Sequence, residues 1–134
     1  MKNLLLLPFF FTATTLCAQT RAPGRAGHQK HPGVQYGTAS YYANKFQGRP
    51  TASGEPYDKN KMTCAHNSLP MGTWVRVTSL RNKRSVVVKV TDRLHHRNQR
   101  IVDLSRIAAA KLGYLKRGLA RVKVEIVAKD SIPE

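Results

Sequence analysis

Acidic side chains are scarce in this chain of 134 residues: 7 Asp and Glu stand against 23 Lys and Arg, a formal net charge of +16 at pH 7. A field of that size implies an anionic partner, for which cell-wall polymers, membrane surfaces and extracellular nucleic acid are the candidates. Charge by itself also fits a merely soluble basic protein. Cysteine is scarcer still. There are 2, Cys17 and Cys64, and Cys17 lies in the N-terminal leader, so no internal disulfide is available to the rest. The fold must then be held by packing and backbone pairing, with Cys64 expected as a small buried apolar filler. Long apolar runs are missing too. The only one, Leu4 to Phe11, is shorter than the roughly 20 residues that span a bilayer, and Pro8 interrupts it.

What that leader does contain is the order of a secretory signal peptide: Lys2, then the apolar run, then Leu16-Cys17-Ala18 ending on a small residue. Residues 1–18 are read as that signal, cut after Ala18, which leaves 134 − 18 = 116 residues and a charge of 22 − 7 = +15. Thr14-Thr15-Leu16 lacks the small pair that precedes a lipidated cysteine, so the mature protein is expected to be soluble, in the periplasm or cell envelope, without a transmembrane segment. Residues 19–35 are rich in Arg, Lys, Gly, His and Pro and almost free of large apolar side chains, the composition of a flexible basic arm. One folded domain is expected over 36–128, with a short tail at 129–134. There is no internal repeat and no second domain, and a monomer is expected.

Within the domain the pattern is mostly β. Trp74 to Thr78 and Ser85 to Asp92 alternate, placing Val75 with Val77 and Val86 with Val88 and Val90. Arg81-Asn82-Lys83-Arg84 suits the turn between them, with Asn82 as the left-handed residue. Leu119 to Val127 is a third alternating run with Val122, Val124 and Ile126 inward, and Thr38 to Tyr42 a weaker strand. One helix is predicted, capped by Ser105, covered by Ile107, Ala108 and Leu112 and ended by Gly113. Short strands with one helix predict a small closed β-barrel, because closure removes exposed edges.

With so few acids, their positions are informative. Glu125, Asp130 and Glu134 read as surface charges, and Asp103 as a helper of the helix N-terminus. Glu55 and Asp58 remain in the Gly/Pro-punctuated loop Thr51 to Asp58, and Asp92 at the end of a valine-rich strand, with His66 between them. A carboxylate where a strand meets a loop is fixed by the one and exposed to ligand by the other. Two carboxyl groups and a histidine suffice for acid–base cleavage of a glycosidic bond. Spacing alone also allows Asp92-Arg93 as an ion pair and His66 as a structural residue.

The ordered series Gly37-Thr38-Ala39-Ser40-Tyr41-Tyr42, Lys45 to Arg49, Thr51 to Asp58, Ala65-His66, Leu69-Pro70, Val75 to Thr78, Asp92-Arg93 and Ile101 to Ser105 resembles the rare lipoprotein A (RlpA) family over about residues 36–127. That resemblance implies a mainly β fold, a six-stranded double-psi β-barrel related to barwin and expansins with one or two short helices. It also implies lytic transglycosylase activity: cleavage of the MurNAc–GlcNAc bond of peptidoglycan without water, leaving a 1,6-anhydro end, in wall remodelling and cell separation. The family's catalytic positions fall on Glu55, His66 and Asp92, at intervals of 66 − 55 = 11 and 92 − 66 = 26.

On that basis Asp92 is expected to protonate the departing oxygen, the same group or Glu55 to take the C6 hydroxyl proton, and His66 to orient a carboxyl group or bind sugar. Arg49 and Arg93 would hold the lactyl carboxylate, and Tyr42 and Tyr57 would stack on sugar or pack in the core. No metal or cofactor is required. The partner would be peptidoglycan glycan strands rather than nucleic acid, for which no basic-aromatic stripe is present. The chain departs from the family where Asp-Arg is followed by Leu94-His95-His96 instead of Gly-Pro, which alters the turn beside Asp92. There is also no room for the glycan-binding repeat domain of longer members. A non-catalytic expansin-like polysaccharide-binding or loosening module is the alternative.

Overall fold

The computed structural model describes residues 33–132; residues 1–18, read above as a signal, and most of residues 19–35, read as a basic arm, lie outside the described residues. Six strands form a closed barrel: β1 (Val34–Tyr41), β2 (Thr63–His66), β3 (Trp74–Ser79), β4 (Ser85–Asp92), β5 (Val102–Leu104) and β6 (Ala120–Ile126). Their order around the barrel is β1-β5-β2-β4-β3-β6, with β1/β5 and β2/β4 parallel and the other pairs antiparallel. This is the six-stranded double-psi barrel that the motifs imply. Short 3-10 turns lie at Asn44–Phe46 and Lys129–Ser131.

Alternation drives the closure. Val75, Val77, Val86, Val88, Val90, Val102, Val122 and Val124 point inward and are buried, beside Leu69 and Leu104. Each such side chain contributes roughly 1.5–3 kcal/mol by leaving water. Truncating the fully buried Leu104 to alanine should cost about 2–5 kcal/mol. Ile126, expected inside, is 45 % exposed because it sits where β6 leaves the barrel. β1 is longer than the sequence suggests. It starts at Val34, inside the segment assigned to the arm, because Val34 and Gln35 pair with Glu125 and Val124 of β6. Gly37 on this strand faces Ile101 so closely that a Cβ would lie 2.6 Å from Ile101 Cγ2.

In the β3–β4 turn the left-handed residue is Lys83 (φ 62), not Asn82. Asn82 is fixed by its side chain instead: Oδ1 accepts from the Arg84 amide at 3.0 Å and Nδ2 donates to Leu112 O at 2.8 Å. The helix α1 (Arg106–Leu112) starts where expected, Ser105 Oγ accepting from the Ala108 amide, and ends at Gly113 with φ 84. It buries Ala108, Ala109 and Leu112, so Ala109 takes the inward place expected of Ile107. Asp103 does not serve the helix terminus; its carboxylate is engaged by Arg100 at 2.8 and 3.0 Å. Cys64 is fully buried, as a filler should be, and burial pushes its thiol well above the usual range.

Candidate active site

β4 delivers Asp92 to one end of the barrel, beside β2, where Ala65 pairs with Asp92 after a register shift between Cys64 and Ala65. The Asp92 carboxylate is gripped by three donors. Oδ1 accepts from the backbone amides of Ala52 at 3.0 Å and Arg93 at 2.8 Å, and Oδ2 accepts from the Tyr42 hydroxyl at 2.6 Å. Three donors acting on its two oxygens fix the carboxyl group in place. The Arg93 amide supplies its bond even though Leu94-His95 follows in place of Gly-Pro. Leu94 turns into the interior, 7 % exposed.

Tyr42 is itself held by aromatic packing. Its ring stacks on Tyr57 with centroids 4.3 Å apart and meets Phe46 edge-on at 5.9 Å. Burial, then the bond to Asp92, pushes the Tyr42 pKa far above that of an ordinary phenol, so its hydroxyl remains a donor. Tyr57 lies behind it, 4 % exposed, and its hydroxyl accepts from the Arg106 amide at 3.2 Å. Tyr57 is therefore a packing residue without a face to offer a sugar.

His66 is buried and takes part through its hydrogen bonds. Its Nδ1 accepts from the amides of Ser68 at 3.2 Å and Leu69 at 3.3 Å, which leaves the proton on Nε2, facing Gln35 Oε1 at 3.1 Å. Its carbonyl accepts from Arg93 Nη1 at 2.7 Å. Asp92-Arg93 is thus no ion pair: the guanidinium is aimed across to β2.

Glu55 is exposed, in a loop docked against the end of β4. Ser53 N donates to Thr91 O, Ala52 N to Asp92, and Thr51 N to Glu55 O, all at 3.0 Å. Two backbone bonds close the loop base, Gly48 N donating to Tyr57 O and Tyr57 N to Arg49 O, each at 2.8 Å. The Glu55 carboxylate makes no hydrogen bond or ion pair among the described residues. Arg49 is exposed with its guanidinium 5.4 Å from the Phe46 ring centre. Asp58 closes an Asx turn on the Asn60 amide at 2.9 Å, which lowers its pKa.

A cleft of about 330 Å³ opens over Asp92, lined by Tyr42 and Arg93 together with Phe46, Asn98, Arg100 and Asp103. Of the sequence-chosen residues it gathers Asp92, Tyr42 and Arg93, while Glu55, His66, Arg49 and Tyr57 are not in its wall. Asn98 and Arg100 escaped attention in sequence, and Asp103 was assigned to the helix N-terminus rather than to a cleft; the spacing of Arg100 to Asp103 was the available signal. His95 also reaches the cleft, its ring stacked on His96 with centroids 4.3 Å apart. No group of three or more His, Cys, Asp or Glu side chains suited to a metal ion occurs among the described residues. Nor do these include a helix long and apolar enough to cross a membrane.

Comparison with known proteins matches residues 34–124 to the family model described as lytic transglycolase. The endolytic peptidoglycan transglycosylase RlpA of Pseudomonas aeruginosa is 55 % identical over 89 residues, 66 % of this chain and 26 % of that protein. Its namesake in Neisseria meningitidis is 48 % identical over 101 residues, 75 % of this chain and 42 % of that one. The chain therefore spans between a quarter and a half of the length of these relatives. Among solved structures, the apo expansin of Clavibacter michiganensis superposes with a TM-score of 0.57 at 25 % identity, covering 75 % of this chain and 53 % of that one.

Proposed function

The chain belongs to the lytic transglycolase family, and from that premise we propose that it cleaves the β-1,4 bond between MurNAc and GlcNAc in peptidoglycan glycan strands, leaving 1,6-anhydro-MurNAc ends. The observation that carries this reading is the Asp92 carboxylate, immobilised by two amides and a tyrosine hydroxyl in the wall of an open cleft. The names of the relatives point to the same chemistry.

The proton inventory closes on one group. Protonated Asp92 gives its proton to the glycosidic oxygen as the bond to the anomeric carbon breaks. The C6 hydroxyl oxygen then bonds to that carbon, and its proton returns to Asp92. The enzyme ends as it began, and no water enters the product. Tyr42 keeps Oδ2 oriented through both transfers. Glu55 rides on the loop whose Ala52 amide holds Asp92, from where it meets the substrate and supplies a second carboxyl group. Arg93 offers positive charge to the lactyl carboxylate, with Arg49 further out on the rim. His66 is a positioning residue, holding Arg93 through its carbonyl.

The same reading makes residues 1–18 an export signal and residues 19–35 a basic arm, and has a soluble monomer working in the periplasm or cell envelope. The protein would be incubated with sacculi and with peptide-stripped glycan strands, and soluble products examined by mass spectrometry. Anhydro-ended fragments from the parent, absent with Asp92→Asn, are expected. Tight binding without products from either substrate would favour a non-catalytic expansin-like module, and reducing ends would replace ring closure by hydrolysis.

A further inference from the structure

A second cleft, of about 340 Å³, opens on the barrel beside the C-terminus of α1, and none of the chemistry above uses it. Its wall includes three arginines, Arg81, Arg117 and Arg121, together with the apolar Leu112, Tyr114 and Leu119. No carboxylate lines it. Among the described residues the only ion pairs are Arg100–Asp103 and Lys123–Glu125, so none of these three arginines is neutralised. Arg121 Nη1 has a single neutral partner, Thr38 Oγ1 at 3.3 Å. A fourth arginine crowds the edge: a Cβ on Gly113 would lie 3.1 Å from Arg84 Nη1.

Like charges gathered round one concavity repel, and a bound anion relieves that repulsion more fully than solvent screening does. Guanidinium groups present planar forks that match an oxyanion better than a point charge. The apolar part of the wall adds a second requirement: half-exposed Leu119 gains by being covered. We propose that this cleft is a binding site for an oxyanion, carboxylate or phosphate, carried on a ligand with an apolar or carbohydrate body, and that Arg81, Arg117 and Arg121 hold the anionic group. The site is separate from the Asp92 cleft but next to it. Tyr114 lines one, Tyr41 the other, and the two rings meet edge-on with centroids 5.8 Å apart.

The test is titration of the full chain, followed by amide NMR, with three probes: N-acetylmuramic acid, glycerol phosphate and uncharged N-acetylglucosamine. Amides of Gly113, Arg117 and Arg121 report on this cleft, and those of Ala52 and Arg93 on the other. Saturable shifts at the first set are expected with an anionic probe and not with the neutral sugar. A response to N-acetylmuramic acid alone assigns the site to carboxylates, to glycerol phosphate alone to phosphates, and to both to oxyanions generally. Arg117→Gln with Arg121→Gln should weaken that binding at least about tenfold. The same double variant should leave the melting temperature of the ligand-free protein unchanged or higher, since it removes repulsion. Asp92→Asn should bind as the parent does, so failure of the proposed catalysis would not touch this result. Equal shifts with the neutral sugar, no shifts at all, or binding that survives the double variant would overturn the proposal. So would an equal loss from Arg76→Gln with Lys89→Gln, two basic residues outside the cleft, since diffuse charge would then explain the binding.

Discussion

The two clefts are similar in volume, about 330 and 340 Å³, and opposite in how they hold charge. Around Asp92 charged groups are tied down: the carboxylate by three donors, Arg93 by the His66 carbonyl, Arg100 by both oxygens of Asp103. Around α1's C-terminus the guanidinium groups have almost nothing to hold. Preorganised charge is what a reaction needs, because no reorganisation is then left for the transition state. Uncompensated charge is what a binding surface needs, because its partner arrives from outside. A net charge of +16 is thus spent unevenly over the molecule.

The sharpest way to break this contrast is at Asp92. Asp92→Asn keeps an acceptor for the Ala52 and Arg93 amides but removes the transferable proton, and turnover should fall by about 10²–10⁴ with little change in melting temperature. Release of anhydro products measured against a melting curve on the same sample checks both halves. A variant within tenfold of the parent would move the chemistry to another group.

His66→Ala comes next. It leaves the amides of Ser68 and Leu69 without their acceptor and Gln35 Oε1 without its donor, and each orphaned buried polar group costs roughly 1–3 kcal/mol. Stability should drop by about 3 kcal/mol in denaturant unfolding. The His66 carbonyl that holds Arg93 is still present in this variant, but the turn that fixes it has lost its side-chain anchor. In the fraction that stays folded, KM should therefore rise more than kcat falls. A kcat loss equal to that of Asp92→Asn, with KM unmoved, would make His66 a participant in the reaction.

How far each of these residues was legible in sequence depends on what kind of information it needed. The barrel was: valines at alternate positions of β3, β4 and β6 can only pack one way, and Ser105 and Gly113 bracket the helix by local rules. Val34 and Gln35 were misread because their strand character comes from pairing with β6, some ninety residues on. Asp92 was legible as an acid ending a strand. The grouping of Glu55 and His66 around it came from motif order, which says nothing of direction. His66 points into the turn at 66–69 and Glu55 into solvent, facts fixed by tertiary contacts. Tyr57 stood between sugar platform and core residue for the same reason: a stacked aromatic pair does not reveal in sequence which ring is behind.

Tyr42→Phe probes the grip itself at smaller amplitude. It deletes the bond to Oδ2 while keeping the stacking on Tyr57, so Asp92 stays tethered by two amides but loses one orientation restraint. A hydrogen bond to a charged group contributes about 1.5–3 kcal/mol, and if half is expressed in the transition state kcat falls about tenfold or less. An unchanged kcat would mean that the amides alone suffice.

The smallest effect compares the clefts through their tyrosines. Burial raises the pKa of Tyr42 beside Asp92 and of Tyr114 beside the arginines, so each holds its proton in the folded state after an unfolded chain, near pKa 10, has released it. The folded state then binds more protons, and stability falls as pH rises: the contribution is whole below pH 10 and is lost progressively above it. At pH 11 each tyrosine should account for about 1.4 kcal/mol of that loss. Tyr114→Phe sacrifices the bond to Ser40 O, lowering stability at every pH, but it should flatten the slope between pH 10 and 11 by about three-quarters of a proton. Denaturant unfolding across that range measures both, and parallel curves for Tyr114→Phe and the parent would show that the buried hydroxyl at the arginine cleft is not what the alkaline limb reports.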